Sequence, residues 1–146
     1  MRLLAVAAAL IAAPAMGQTV PSADAGPCTN LPASTSSKPA NLQGTWDFAM
    51  DAGGQISRGT MALGPIDGAW GGSLTIYATN SLAIRKLTLD GAAVTMAVAS
   101  LEGDVVFTGR LFDAGDMMCG TVAYHGGRIF PMIARQRPAL LYPRQR

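Results

Sequence analysis

The sequence predicts an all-β protein: an eight-stranded antiparallel up-and-down barrel, preceded by a signal peptide and an extended N-terminal arm. Three observations carry this. Turn signals rich in Asp-Gly and Gly-Gly recur at short, regular intervals from residue 51 to residue 127, the signature of consecutive hairpins. The runs between them alternate in polarity, and none has a sustained helical period. The connections are short, so strands that are neighbours in sequence pair with one another. Closing the sheet on itself then leaves no exposed edge.

The chain has 146 residues, room for one domain. It opens with "MRLLAVAAALIAAPAMGQ", where Arg2 precedes an apolar run from Leu3 to Ala13 and small residues follow around Ala15 and Gly17. This is the layout of a secretory leader over residues 1–17, cleaved after Gly17 or Ala15. The run is well short of the roughly 20 residues that a spanning helix needs. Export to the periplasm or beyond is the expectation. Residues 18–41 begin with "QTVPSADAGPCTNLPASTSSKPA", which has no apolar periodicity and reads as an extended arm.

From Leu42 the texture changes. Turns are marked by "DAGG" at 51–54, "PIDG" at 65–68, "ATNS" at 78–81, "LDG" at 89–91, "LEGD" at 101–104, "FDAGD" at 112–116 and "YHGG" at 124–127. They separate strands at about 43–50, 55–63, 70–78, 82–89, 92–99, 104–112, 116–124 and 128–136. Alternation gives the interior as Trp46, Phe48, Met50, Val94, Met96, Val98, Phe107, Leu111, Met118 and Val122. Gly109 and Gly120 fall on the same face and are expected to leave space there. Cys119 falls on the outside. Trp70, beside a glycine-rich turn, is expected to expose its ring. Pro138 and Pro143 end any strand near Arg137, so residues 42–137 form the barrel and 138–146 a basic tail.

The cysteines are Cys28 and Cys119. An even count in an exported chain suggests a disulfide, one that straps the arm across the barrel wall rather than threading it through. The pair and a single histidine do not make a four-ligand structural zinc site, and no cofactor is implied. Lys and Arg number 11 against 9 Asp and Glu, and several cations crowd the C-terminal end. That is no nucleic-acid footprint, which needs a dense basic face. The tail "RQRPALLYPRQR" offers cations to an anionic membrane, but a frayed, solvated terminus is the expectation.

The first strand opens with Gly44-Thr45-Trp46. A large ring here closes one end of a barrel, and glycine before it lets backbone approach. In this the chain resembles the calycin group, the lipocalins and avidins, and more closely the small lipocalin-like barrel domains of secreted bacterial proteins. Their barrels begin with Gly-x-Trp and end with a basic residue packed over that Trp. The resemblance spans roughly residues 42–137. It implies that Arg135, or else Arg137, stacks on Trp46 as a cation–π pair. The chain has neither the long lipocalin loop after the first strand nor a C-terminal helix, and it does not have the polar ring with which avidins hold biotin.

The catalytic patterns are thin. His125 sits at a turn and reads as an exposed residue without the partner a base needs. Ser57, Ser73, Ser81 and Ser100 lie in no Gly-x-Ser-x-Gly context. Asp113 and Asp116 read as turn residues, and "GAWGG" at 68–72 is no phosphate loop. No enzyme activity is expected. Beyond the leader the methionines are Met50, Met61, Met96, Met117, Met118 and Met132; they suit an adaptable cavity or irregular core filling.

Two function classes follow. One is binding of a small hydrophobic ligand inside the barrel by Trp46, Phe48, Met50, Met96, Phe107 and Met118, in a narrow cavity opening opposite Trp46. Gly44, Arg135, Cys28 and Cys119 serve structure. The other is a protein-interaction or inhibitor module that contacts another exported protein through the barrel wall and the arm.

Overall fold

The computed structural model describes Cys28 and residues 41–77, 79–112 and 115–139. The segments expected as leader, most of the arm and the greater part of the basic tail, with Asp113, lie outside the described residues. Eight strands form one closed antiparallel barrel in sequence order. They are β1 (Gly44–Asp51), β2 (Ile56–Ile66), β3 (Ala69–Ile76), β4 (Ser81–Asp90), β5 (Ala93–Ser100), β6 (Gly103–Phe112), β7 (Met117–Ala123) and β8 (Ile129–Gln136). A short 3₁₀ turn at His125–Gly127 leads into β8. The up-and-down order expected from the turn spacing is the order found. This closed architecture is compatible with a lipocalin-like barrel.

Local chemistry explains the boundaries. The β2–β3 turn is two residues, Asp67 and Gly68, both at positive φ (50° and 81°), the backbone a tight hairpin turn demands. That turn lets β2 run on to Ile66 past Pro65, where the sequence had suggested a stop. β4 carries a register shift between Ile84 and Lys86, so Arg85 and Lys86 both stay in water while Ile84 and Leu87 both face inward. Ladder β1–β8 runs only from Trp46↔Gln136 to Met50↔Met132. The next residue of β8 is Pro131, which has no N–H with which to extend it.

Side chains of alternate parity fill the interior. Every residue expected there, from Trp46 to Val122, is buried. The two ends are built differently. At the end where β1 begins, Leu42 and Trp46 are both fully buried, and the indole Nε1 donates to the Leu42 carbonyl at 2.8 Å. This satisfies the one polar group that a buried tryptophan brings. Trp70 packs half-buried against the same core rather than exposing its ring.

Two glycine positions have a steric reason. Gly109 and Gly120 pair across β6 and β7, and the Phe107 ring lies against both. A Cβ on Gly120 would sit 2.9 Å from Phe107 Cε2, and one on Gly109 would collide with its Cζ. These glycines therefore leave no space: the aromatic ring occupies it. Gly44, at φ 134°, admits the Gln136 side chain, whose Nε2 would lie 3.1 Å from an added Cβ.

Cys28 and Cys119 form a disulfide with a Cα–Cα distance of 5.8 Å and a sequence separation of 91. Cys119 belongs to the outer parity of β7, as expected. It is nonetheless buried, in a small outer cluster with Cys28, Phe112 and Met117. In the chain-entropy picture a loop of this length contributes on the order of 4–5 kcal/mol.

Candidate functional site

The closed end is locked by polar contacts between the first and last strands. Gln136 Nε2 donates to the Gln43 carbonyl at 2.6 Å, and the Arg137 amide donates to the Thr45 carbonyl at 2.8 Å. The Arg137 guanidinium forks onto Asp47, Nε to Oδ2 at 2.8 Å and an Nη to Oδ1 at 2.6 Å. That hydrogen-bonded pairing holds the Asp47 carboxyl below its ordinary value and raises Arg137.

Arg135 does not stack on Trp46. Side chains alternate along β8, and Arg135 pairs with Asp47 of β1 and Met117 of β7, both of outer parity. It is exposed on the outer wall, whereas the β8 residue opposite Trp46 is Gln136. The cation expected over the indole is displaced by one residue of register, which turns it to the other face. Arg137 reaches Asp47 instead.

The opposite end holds the cavity. A space of about 80 Å³ lies beneath the open mouth, lined among others by Phe48, Met50, Leu74, Met96, Val98, Phe107, Val122, Tyr124 and Met132. Its walls are almost wholly apolar. Phe48, Met50, Met96 and Phe107 thus meet around one space. Trp46 and Met118 do not reach it; they sit in the packed closed half. The expected position opposite Trp46 is where the cavity lies. Above it an open cleft of about 680 Å³ is bounded by Ala52, Gln55, Ser57, Arg58, Tyr77, Arg128 and Phe130, and it shares Met50, Ile76 and Tyr124 with the cavity wall. The cleft sits where the β1–β8 ladder has ended.

Aromatic contacts order the mouth. Tyr124 and Phe130 pack edge to face at 5.5 Å between centroids, and the Arg128 guanidinium carbon is 5.8 Å from the Phe130 centroid. Of the exposed large apolar residues, Ile56, Tyr77, Leu101 and Ile129 all belong to strand ends and turns at this mouth. Sequence pattern did not reveal that grouping, because the four come from four different hairpins.

His125 is half-buried rather than exposed. Its Nε2 lies 3.0 Å from Ser100 Oγ, a pair separated by 25 residues that local motifs do not show. The direction of the bond follows from proton counting. Ser100 Oγ donates its only hydrogen to the Gly103 carbonyl at 2.6 Å and accepts from the Glu102 amide at 3.3 Å. His125 Nε2 is therefore the donor. This orientation clamps the β5–β6 turn to the β7–β8 turn and is the reverse of what a nucleophile and base require. Among the described residues no carboxylate holds the other ring nitrogen, and no group of His, Cys, Asp or Glu is placed to hold a metal ion.

No protein-family model matches the chain, and no curated protein matches it.

Proposed function

We propose that this chain is an exported small-ligand-binding barrel, taking the apolar part of a small molecule through the open mouth. One observation carries the reading: an apolar cavity of about 80 Å³ lies inside an eight-stranded barrel, directly beneath an open cleft. Barrels of this strand number either fill their interior or hold one small ligand. The volume sets the scale. A 150 Å³ apolar cavity takes benzene, so this one takes on the order of three carbons. Lining methionines Met50, Met96 and Met132 adapt their shape at little cost. We read the chain as binding rather than catalysing, because its serine–histidine pair points its proton the wrong way. Export is supported by the Cys28–Cys119 disulfide, a bond typical of oxidising compartments.

The test is to fill the cavity. Wild type should show saturable NMR shift changes with pentan-1-ol. Val98→Phe, whose ring enters the same space, should lose them while staying folded. Unchanged binding by the variant would refute the reading.

A second reading keeps a specific observation behind it. The disulfide fixes Cys28 to the outer wall beside Phe112 and Met117, which favours that part of the wall as a contact for another exported protein. Pull-down from periplasmic extract tests it, comparing the disulfide-bonded full chain with a Cys119→Ser chain that has or does not have residues 18–40. Loss of a specific partner with the arm favours this reading, and equal capture argues against it.

A further inference from the structure

The cavity accounts for the apolar part of a ligand, and the charge pattern of the mouth accounts for its head. No charged side chain is buried among the described residues, and those on the strands face outward or lie at the rim. The mouth differs. Arg128 has the parity of Phe130, Met132 and Ala134, the inward residues of β8, and so it stands over the opening instead of on the outer wall. Its guanidinium lies against the Phe130 ring, which fixes a planar donor fork in place.

Arg128 has no carboxylate partner among the described residues. Of the acids at this end, Asp51 accepts the Gly54 amide at 2.6 Å, Asp104 lies 3.5 Å from Arg85, and Glu102 stands exposed on the β5–β6 turn. Around the same cleft a second cation, Arg58, has the outer parity of its β1 partner Ala49, and Gln55, Ser57 and Tyr124 carry side chains that can donate hydrogen bonds. A cation without a carboxylate partner among the described residues, at the lip of an apolar hole, is complementary to a molecule with an anionic head and a short apolar end.

We propose that the mouth binds small amphiphilic anions, short-chain monocarboxylates being the simplest class. The carboxylate meets the Arg128 fork, and the hydrocarbon end drops between Met50, Met96 and Met132. This rests on the cavity being a ligand site. It excludes long-chain fatty acids from full insertion, since the hole takes only about three carbons.

The experiment compares pentanoate with pentan-1-ol, which share a hydrocarbon chain and differ in head charge, by NMR titration of the full chain at pH 7. Arg128 is exposed and unpaired in this sense, so Arg128→Gln should fold normally, with unchanged methyl signals from Met61 and Met118. Pentanoate should bind wild type roughly five-fold more tightly than pentan-1-ol, as one well-placed charge contact supports. Arg128→Gln should erase that preference while leaving pentan-1-ol binding unchanged, and Arg128→Lys should restore part of it. Equal binding of the two probes to wild type, or a preference that survives Arg128→Gln, would overturn the head assignment while leaving the cavity reading intact. Binding of neither probe would sink both.

Discussion

The two ends of this barrel are made from the same alternating strands, yet they do opposite things. At the end where β1 begins, Leu42, Trp46, Met61 and Met118 are fully buried. The chain segments entering and leaving are tied by Gln136 and Arg137. At the other end Tyr124, Ile76 and Phe130 are only partly buried, Leu101 stands fully in water, and an apolar cavity remains open. A closed end needs one large ring with its polar atom satisfied, whereas an open end needs the absence of such a plug. The difference teaches that function in a small barrel is carried by where packing stops.

The sharpest way to break this contrast is at the plug. Trp46→Ala should cost about 3–5 kcal/mol, read by chemical denaturation. Leu101→Ser at the mouth should stay within about 0.5 kcal/mol of wild type, as exposed substitutions usually do. Similar losses at both positions would erase the distinction between the ends.

A smaller effect is expected at the seam. Gln136→Ala removes the bond to the Gln43 carbonyl and should cost about 1 kcal/mol. The loss should leave pentan-1-ol binding unchanged, because the site is at the far end. A large change in binding would show that the two ends are coupled.

The smallest effect concerns acid. Asp47 has its folded-state pKa lowered by Arg137, so its contribution is present above the unfolded carboxylate value and is lost as pH falls through the folded one. Between about pH 5 and pH 2, wild type should therefore lose slightly more thermal stability than Asp47→Asn. Parallel melting curves for the two proteins would show the seam to be inert. Both groups are exposed, so the difference should shrink further at high salt.

Much of the fold was legible in the sequence because its signals are local. Asp67-Gly68 and Gly91 mark turns by backbone chemistry, and alternation sorted Trp46, Met96 and Phe107 inward correctly. What escaped was set by three-dimensional placement. Arg135 fails over Trp46 by one residue of register between β1 and β8, a quantity that neither strand encodes alone. Gly109 and Gly120 promise space to a reader of residue volumes, but Phe107 claims it from two residues away. The Ser100–His125 bond joins two hairpin turns, and the grouping of Ile56, Tyr77, Leu101 and Ile129 at one mouth requires knowing which ends of the strands coincide. The cavity is the sum of these placements, so its position opposite Trp46 was readable and its lining only partly so.

The methionines offer the most direct test of the central claim that ligand binding is confined to the open half. Met50, Met96 and Met132 line the cavity, Met61 and Met118 lie in the packed half, and Met117 sits in the outer disulfide cluster. With ¹³C-methyl-methionine labelling, the full chain is titrated with pentan-1-ol. The expected result is saturable shifts at Met50, Met96 and Met132, with Met61, Met117 and Met118 unmoved. Shifts at Met61 and Met118, or no shift at any methionine, would contradict it.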